Sequence, residues 1–344
     1  MPLLTSPEAS FADAQTYLQE VANQLSYADA AEAIGYKRKS FNSVKDLYAD
    51  YGVVPPERKN QHSLPAYEES SAEAIVAGIE KVAVTTLSQA ARKALNLERA
   101  IVVSDIHAPF HDPRAIAVAL ALIADLKPEV IYLAGDIWDA YAISRWSKDP
   151  KRALMLDEER NVTVEILRAF REAAGPDCRI VFIEGNHEVR LAGYLQDRFP
   201  AGTYLPELAL PRFLKLDELD IEFIPMVSRT AYAQYGPIKV GHFEKCNKHS
   251  AYTAKLLMDD YMCDLLQAHT HRLGTHYRTI PGKPPAVAGE LGCLCDLNPG
   301  YVRDPNWQHG ITVITKHVDG DRFHISQIPI VDYACIFNDR LYAA

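Results

Sequence analysis

Five short stretches of the chain carry residue types that hold metal ions or move protons, and each follows an apolar run. Asp105 and His107 stand two apart behind Ile101-Val102-Val103, and Asp136 follows Val130–Leu133 within Gly135-Asp136-Ile137-Trp138-Asp139. Gly185-Asn186-His187-Glu188 closes Ile180–Ile183, His242 ends the run that begins at Ile238, and His269 and His271 are two apart after Leu265–Ala268. Carboxylates, an amide and imidazoles together suit a pair of divalent transition metals better than calcium or magnesium, which take all-oxygen shells. Two such ions clamp a phosphoryl group and lower the pKa of a bridging water. That is the chemistry of phosphoester hydrolysis.

These groups must be brought to one place, and the pattern around them predicts how. From Arg99 onward, strands alternate with helices, which signals an α/β layered fold. Strands are predicted over the runs at 101–103, 130–133 and 180–183, with helices from Asp112, where Pro113 lies in the first turn, and over 157–174 and 189–197. Asp157, Glu158 and Glu159 sit favourably at the positive end of the second helix dipole. In an open sheet, ligands gather beyond the carboxyl ends of parallel strands, so three such ends can converge. In extended geometry the Asp105 and His107 side chains project to one side. Beyond Pro200 the texture is β-rich, with strands expected over 221–224, 230–235, 238–241, 265–268, 275–280, 286–288, 311–316 and 323–328 and one helix over 250–261. This half is expected to complete the same domain with a second sheet.

The first 60 residues read as a small helical unit. Helices over 27–34 and 40–51 are spaced as in a helix-turn-helix, and the turn carries Lys37, Arg38 and Lys39 as candidate DNA contacts. A plain helical packing unit with a solvated basic turn is the competing reading. Residues 61–98 are expected to be a linker and a lead-in helix over 72–97, ahead of a main domain over 99–335.

Composition narrows the classes. Hydrophobic and charged fractions of 48% and 24% match an ordinary globular domain. No apolar run approaches the roughly 20 residues that span a bilayer, and the N-terminus does not read as a secretory signal, so the expected location is the cytoplasm. The six cysteines are scattered, which fits reduced thiols, and Cys293-x-Cys295 is poorly spaced for a zinc knuckle. A net charge of -9 argues against non-specific coating of nucleic acid while leaving room for a local basic groove.

The ordered set Asp-x-His, Gly-Asp-x-x-Asp, Gly-Asn-His-Glu, Gly-His and His-x-His resembles the calcineurin-like metallophosphoesterases, a superfamily that includes purple acid phosphatases, protein serine/threonine phosphatases and SbcD nucleases. The stretch Ala142-Ile143-Ser144-Arg145 and His269-Thr270-His271-Arg272 are similar to metallophosphoesterases of bacteriophages and prophages. The resemblance implies a two-sheet β-sandwich flanked by helices. It implies two divalent transition metal ions, with manganese expected and iron, zinc or nickel as alternatives. Asp105, His107 and His271 would hold one, Asn186, His242 and His269 the other, and Asp136 would bridge them. It further implies attack by a metal-bridging hydroxide, with His187 giving a proton to the leaving oxygen or stabilising the transition state. Ala268 departs from the family's usual glycine before His-x-His.

Three neighbours are candidates for lesser roles. Asp139 could orient a metal-binding histidine or cap the next segment, and Arg190 and Arg272 could fork onto a phosphate. Tyr141, Trp146 and Trp307 could stack on a base, with core packing as the default for tryptophan. The expected substrate is a nucleic acid, cut by a nuclease or trimmed by an end-processing phosphatase. A small-molecule phosphatase or cyclic-nucleotide phosphodiesterase is the alternative, and a DNA-binding scaffold with a vestigial site the reading from another class. Nucleases of this family are often homodimers.

Overall fold

The structure is a computed structural model and describes residues 89–344 apart from 147, 150–153, 280, 283, 301 and 303. The chain divides into residues 1–85 and 86–344, and the second unit is described below. The expected N-terminal helices, the basic turn with Lys37, Arg38 and Lys39, and most of the lead-in helix lie outside the described residues. Its described part is α1 (Gln89–Ala94), which stops three residues short of the expected end at 97, where a strand begins.

Four consecutive parallel strands make the frame: β1 (Leu97–Val103), β2 (Val130–Ala134), β3 (Arg179–Ile183) and β4 (Ile221–Ile224). The buried stretches of the first three, 100–103, 130–134 and 180–183, carry no charge because both faces are covered there. On one face, Ile101, Val103, Ile131, Leu133, Ile180 and Phe182 pack against α2 (Pro113–Leu126) and α3 (Leu156–Ala174), with Leu122, Ile123 and Phe170 fully buried between them. On the other face, Val102, Tyr132, Ala134, Val181 and Ile183 meet a second sheet.

That second sheet has the order β5-β6-β7-β9-β8, from β5 (Thr230–Tyr235), β6 (Ile238–Phe243), β7 (Asp264–Gln267), β8 (Leu273–Arg278) and β9 (Ala286–Leu291). Its outer face carries α6 (Tyr252–Tyr261) on Phe243, Leu265 and Ala288. Helix, sheet, sheet, helix is the resulting layer order, the flanked β-sandwich of the resemblance. Two short helices, α4 (Val189–Arg198) and α5 (Leu210–Phe213), link β3 to β4.

Local chemistry sets the boundaries that matter. Asp112 caps α2 by accepting from Arg114 N at 2.9 Å and Ala115 N at 3.2 Å, with Pro113 at the first helical position. Among the described residues no helix is long and apolar enough to cross a membrane.

Strand placement departs from the expectation in one respect. Not all of the β-rich second half enters the second sheet: β4 extends the first, and β10 (Gly310–His317) and β11 (Phe323–Pro329) return to its opposite edge, giving β11-β10-β1-β2-β3-β4. Strand pairing is a long-range choice that local apolar texture does not encode. A hairpin of β12 (Ala334–Phe337) and β13 (Arg340–Ala343) was not anticipated, since four-residue strands carry too little periodicity. It belongs to the helix-side core through Cys335 and Tyr342, and Tyr342 donates to Asp125 Oδ2 at 2.6 Å.

Candidate metal centre

The candidate ligands sit where strands stop and the chain reverses. Asp105, His107, Asp136, His269 and His271 have φ of 51°, 52°, 53°, 74° and 58°, so five of the seven candidate ligands are left-handed. The shared direction of Asp105 and His107 is therefore not that of an extended strand, as the sequence suggested. Such backbone costs a non-glycine residue about 1 kcal/mol or more and persists only where surroundings impose it. Here the loops impose it on one another: Asp105 N donates to Gly135 O at 3.0 Å, His107 N to Asp136 O at 2.8 Å and Ala108 N to Ile137 O at 2.8 Å. Two glycines allow the approach. A Cβ on Gly135 would lie 2.5 Å from His242 Nδ1, and one on Gly185 would lie 2.2 Å from Asp136 Oδ1.

The side chains form two adjoining groups. In the first, His271 Nε2 lies 3.2 Å from Asp105 Oδ1 and 3.1 Å from His107 Nε2. His107 Nδ1 donates to Asp139 Oδ2 at 3.0 Å, which leaves its Nε2 lone pair facing inward. Burial, with His187 nearby, lowers the His107 pKa and keeps that lone pair free of a proton. Burial also opposes charge on His271, yet Asp105 outweighs it and lifts that imidazole to about 10. The positive charge that Asp105 favours on His271 marks a place that suits a cation.

In the second group, His242 Nε2 lies 2.9 Å from Asn186 Oδ1 and 3.6 Å from Asp136 Oδ2, while its Nδ1 donates to Ala134 O at 3.2 Å. With that tautomer, three acceptors converge. His269 completes the group, its Nδ1 buried without a hydrogen-bond partner. Burial and the neighbouring His242 push the His269 pKa down to about 4, so its ring is neutral at ordinary pH, the form that ligates. Asp136 joins the groups, reaching His107 Nε2 at 3.8 Å as well. Burial opposes its charge, but His242, His187, His107 and His269 hold its carboxyl well below the usual carboxylate range. Converging acceptors, the neutral rings of His107 and His269 and one orphaned nitrogen fit two divalent ions with mixed nitrogen and oxygen ligands.

His187 stands beside these groups, its ring edge-on to His107 with centroids 4.4 Å apart. Its Nδ1 donates to Asp139 O at 2.9 Å, and Arg190 Nη2 donates to its Nε2 at 2.9 Å, so the ring is the neutral Nδ1–H tautomer. Burial lowers its proton affinity, but Asp136 and Asp139 raise it further, leaving the pKa above the ordinary value. A proton arriving at Nε2 must displace Arg190. Asp139 lies against both rings: one carboxylate oxygen is 3.0 Å from His107 Nδ1 and 3.5 Å from His187 Nδ1.

Other positions differ from expectation. Arg272 is 6% exposed and donates to Lys248 O at 2.9 Å and to Asn247 O, clamping the 246–248 loop beside Glu290 rather than presenting a free fork. Glu188 is buried and accepts Asp136 N at 3.0 Å, Trp138 N at 2.8 Å and Gly185 N at 2.9 Å, tying the second and third loops together. Glu159 is not a solvated dipole charge: fully buried, it accepts Ala142 N at 2.9 Å, and burial pushes its carboxyl up to about 7. Trp146 is not core but 64% exposed.

Two residues flank His271: Cys295, which the sequence did not connect to the site, and Trp307, which it offered as a base-stacking ring or a core residue. Cys295 Sγ lies 3.7 Å from its Nδ1, and the Trp307 ring centroid lies 4.3 Å from the imidazole's. Both arrive through the non-local return of residues 292–310 past the Asp105 loop, including Leu294 N donating to Asp105 O at 3.1 Å, for which no local pattern exists.

A glutamate-free ligand set of this kind can be compared with known proteins. The chain is 26% identical over 250 residues to the Gene 54 protein of Mycobacterium phage L5, covering 68% of this chain and 94% of the relative. The Gene 54 protein of Mycobacterium phage D29 is 27% identical over 253 residues with the same coverages. Among solved structures, Vps29 complexed with zinc from Entamoeba histolytica is 14% identical, with 69% of this chain and 96% of that chain covered and a TM-score of 0.34. The profile of the calcineurin-like phosphoesterase family matches residues 98–276, which contain all five ligand-bearing loops, and the chain belongs to that family.

Proposed function

We propose that the protein is a divalent-metal-dependent phosphoesterase acting on nucleic acid, as a nuclease or end-processing phosphatase. The observation that carries the phosphoesterase reading is the convergence of Asp105, His107, Asp136, Asn186, His242, His269 and His271 with His187 alongside. Asp105, His107 and His271 would hold one ion, Asn186, His242 and His269 the other, with Asp136 between. Two ions there, manganese being our first choice, would polarise a phosphoryl oxygen and make bound water nucleophilic at neutral pH.

The chain's own groups supply the rest. Asp139 fixes the His107 tautomer so that Nε2 points inward, and Ala134 O does the same for His242. Arg190 can move its guanidinium from His187 Nε2 to a substrate phosphate, whose oxygens match its fork. Once released, Nε2 would take a proton from water, which Asp136 and Asp139 favour, and pass it to the departing oxygen, with Asp139 O retaining Nδ1–H. A cleft of about 600 Å³ opens beside Asn186, larger than a lone phosphate requires, and supports a substrate with a body.

Manganese-loaded protein assayed on single- and double-stranded DNA, bis-p-nitrophenyl phosphate and p-nitrophenyl phosphate tests the reading. Turnover of DNA and the diester is expected. Turnover of the monoester alone would favour the small-molecule phosphatase, to which the net charge of -9 also lends itself. Inactivity with every divalent metal would favour the scaffold.

A further inference from the structure

The cleft beside Asn186 has two walls of distinct origin. One is the segment 142–146, which carries Arg145 and Trp146; the other is the outer face of α4, with Arg190, Gly193, Tyr194, Asp197 and Arg198. Trp146 is 64% exposed and Tyr194 is 42% exposed. Large rings left in water at the mouth of a cleft are poorly explained by packing. The Arg145 guanidinium lies over the Trp146 ring, 5.0 Å from the centroid, so the ring already takes a flat cation on one side while most of its surface stays in solvent.

Charge points the same way. In a chain of net charge -9, Arg145, Arg190 and Arg198 gather here, with Lys148 close enough to Arg190 that burial and this guanidinium lower its pKa. Arg145 and Arg198 have no carboxylate partner among the described residues. The opposing charges are Asp197 and Glu244, and Arg229 lies 3.5 Å from the latter. A cationic, aromatic-edged cleft leading to a centre that takes phosphoryl groups matches a polyanion with flat apolar faces.

We infer that this cleft is a subsite for an unpaired nucleotide strand, with Trp146 and Tyr194 as stacking surfaces for bases and Arg145 and Arg198 as contacts for flanking phosphates. A duplex hides its base faces, so the rings select single strands or frayed ends. The strand is a substrate only under the phosphoesterase reading above, but its binding can be measured without turnover.

The test uses full-length protein in EDTA with fluorescein-labelled oligo-dT and a duplex of equal length, following anisotropy and tryptophan quenching. Single strand is expected to bind tighter and to quench tryptophan emission, with Trp138 fully buried and Trp307, against His271, as the background that Trp146→Phe leaves. Trp146→Ala should weaken binding about 5- to 100-fold, and Trp146→Phe should restore most of it while removing the quench. Arg198→Ala should flatten the slope of log affinity against log salt by about 0.7. Tyr204→Ala, a ring 86% exposed that does not line the cleft, should change nothing.

Equal affinity of wild type and Trp146→Ala would overturn the subsite, as would a duplex bound as tightly as the single strand. A loss seen only on replacing Lys37, Arg38 and Lys39 would do the same. Hydrolysis of bis-p-nitrophenyl phosphate by a protein that binds no oligonucleotide would sink the subsite and leave the phosphoesterase standing. Binding without any hydrolysis would do the reverse.

Discussion

The helix side of the first sheet and the carboxyl ends of the same strands are comparably buried and filled with opposite chemistry. Between β1–β3 and helices α2 and α3, Ile101, Leu122, Leu133, Leu167 and Phe170 are fully buried and wholly apolar. A few residues further along those strands, Asp105, His107, Asp136, Asp139 and Glu188 are all at most 6% exposed and all titratable. Burial stabilises the first region at about 25 cal/mol per Å² of apolar surface, whereas desolvating charge penalises the second unless partners or a bound cation offset it. The left-handed backbone of five candidate ligands adds to that cost. Rigid apolar strands hold a polar centre that would not assemble by itself, so the two regions should answer differently to the same perturbations.

The contrast breaks most sharply at Asp136. Asp136→Ala should abolish metal-dependent phosphoesterase turnover and also the rise in Tm that manganese gives by binding the folded state alone. Retained turnover would contradict the assigned arrangement. His187→Ala should keep the metal-induced Tm rise while lowering kcat by about 10²- to 10⁴-fold. Loss of both together would make His187 a ligand.

From the other region, Phe170→Ala should reduce stability by about 3 to 5 kcal/mol in denaturant unfolding, with the manganese response of the folded fraction preserved. Asp139→Asn removes an ionised partner of His107 and should lower metal affinity or activity about 10- to 100-fold, read by metal titration.

Glu159 sharpens the comparison because it is a titratable group placed in the helix layer. Its carboxyl rises from 4.5 to about 7 through burial, so the folded state favours the protonated form. Its stabilising contribution is therefore full below about pH 4.5 and is lost as pH rises through about 7. Glu159→Gln should flatten the fall of unfolding free energy over that window by on the order of 1 to 3 kcal/mol. An unchanged pH slope would show that Glu159 is already ionised in the fold.

Much of this molecule is written locally. The runs ending at Val103, Leu133 and Ile183 are apolar enough to be read as strands of a covered sheet, and Asp112-Pro113 announces its helix. Residue types at those strand ends disclose the metal chemistry. The site was less legible where contact across the chain decides a role: nothing local to Glu188 shows that its carboxylate accepts three N–H groups of two loops. Arg272 reads as a phosphate fork until its donors are found on backbone carbonyls.

By itself, the order of ligand types along the chain was enough to point to the family, because metal coordination depends on the kind of atom and each candidate residue supplies one. Only the tertiary structure decided which sheet each later strand joins, how left-handed turns aim Asp105 and His107, and that Trp146 faces a cleft instead of the core. Those outcomes depend on pairings between residues up to some two hundred positions apart, such as β1 with β10 and Asp105 with His271. Such energies are summed over the whole fold, and no local window of sequence contains them.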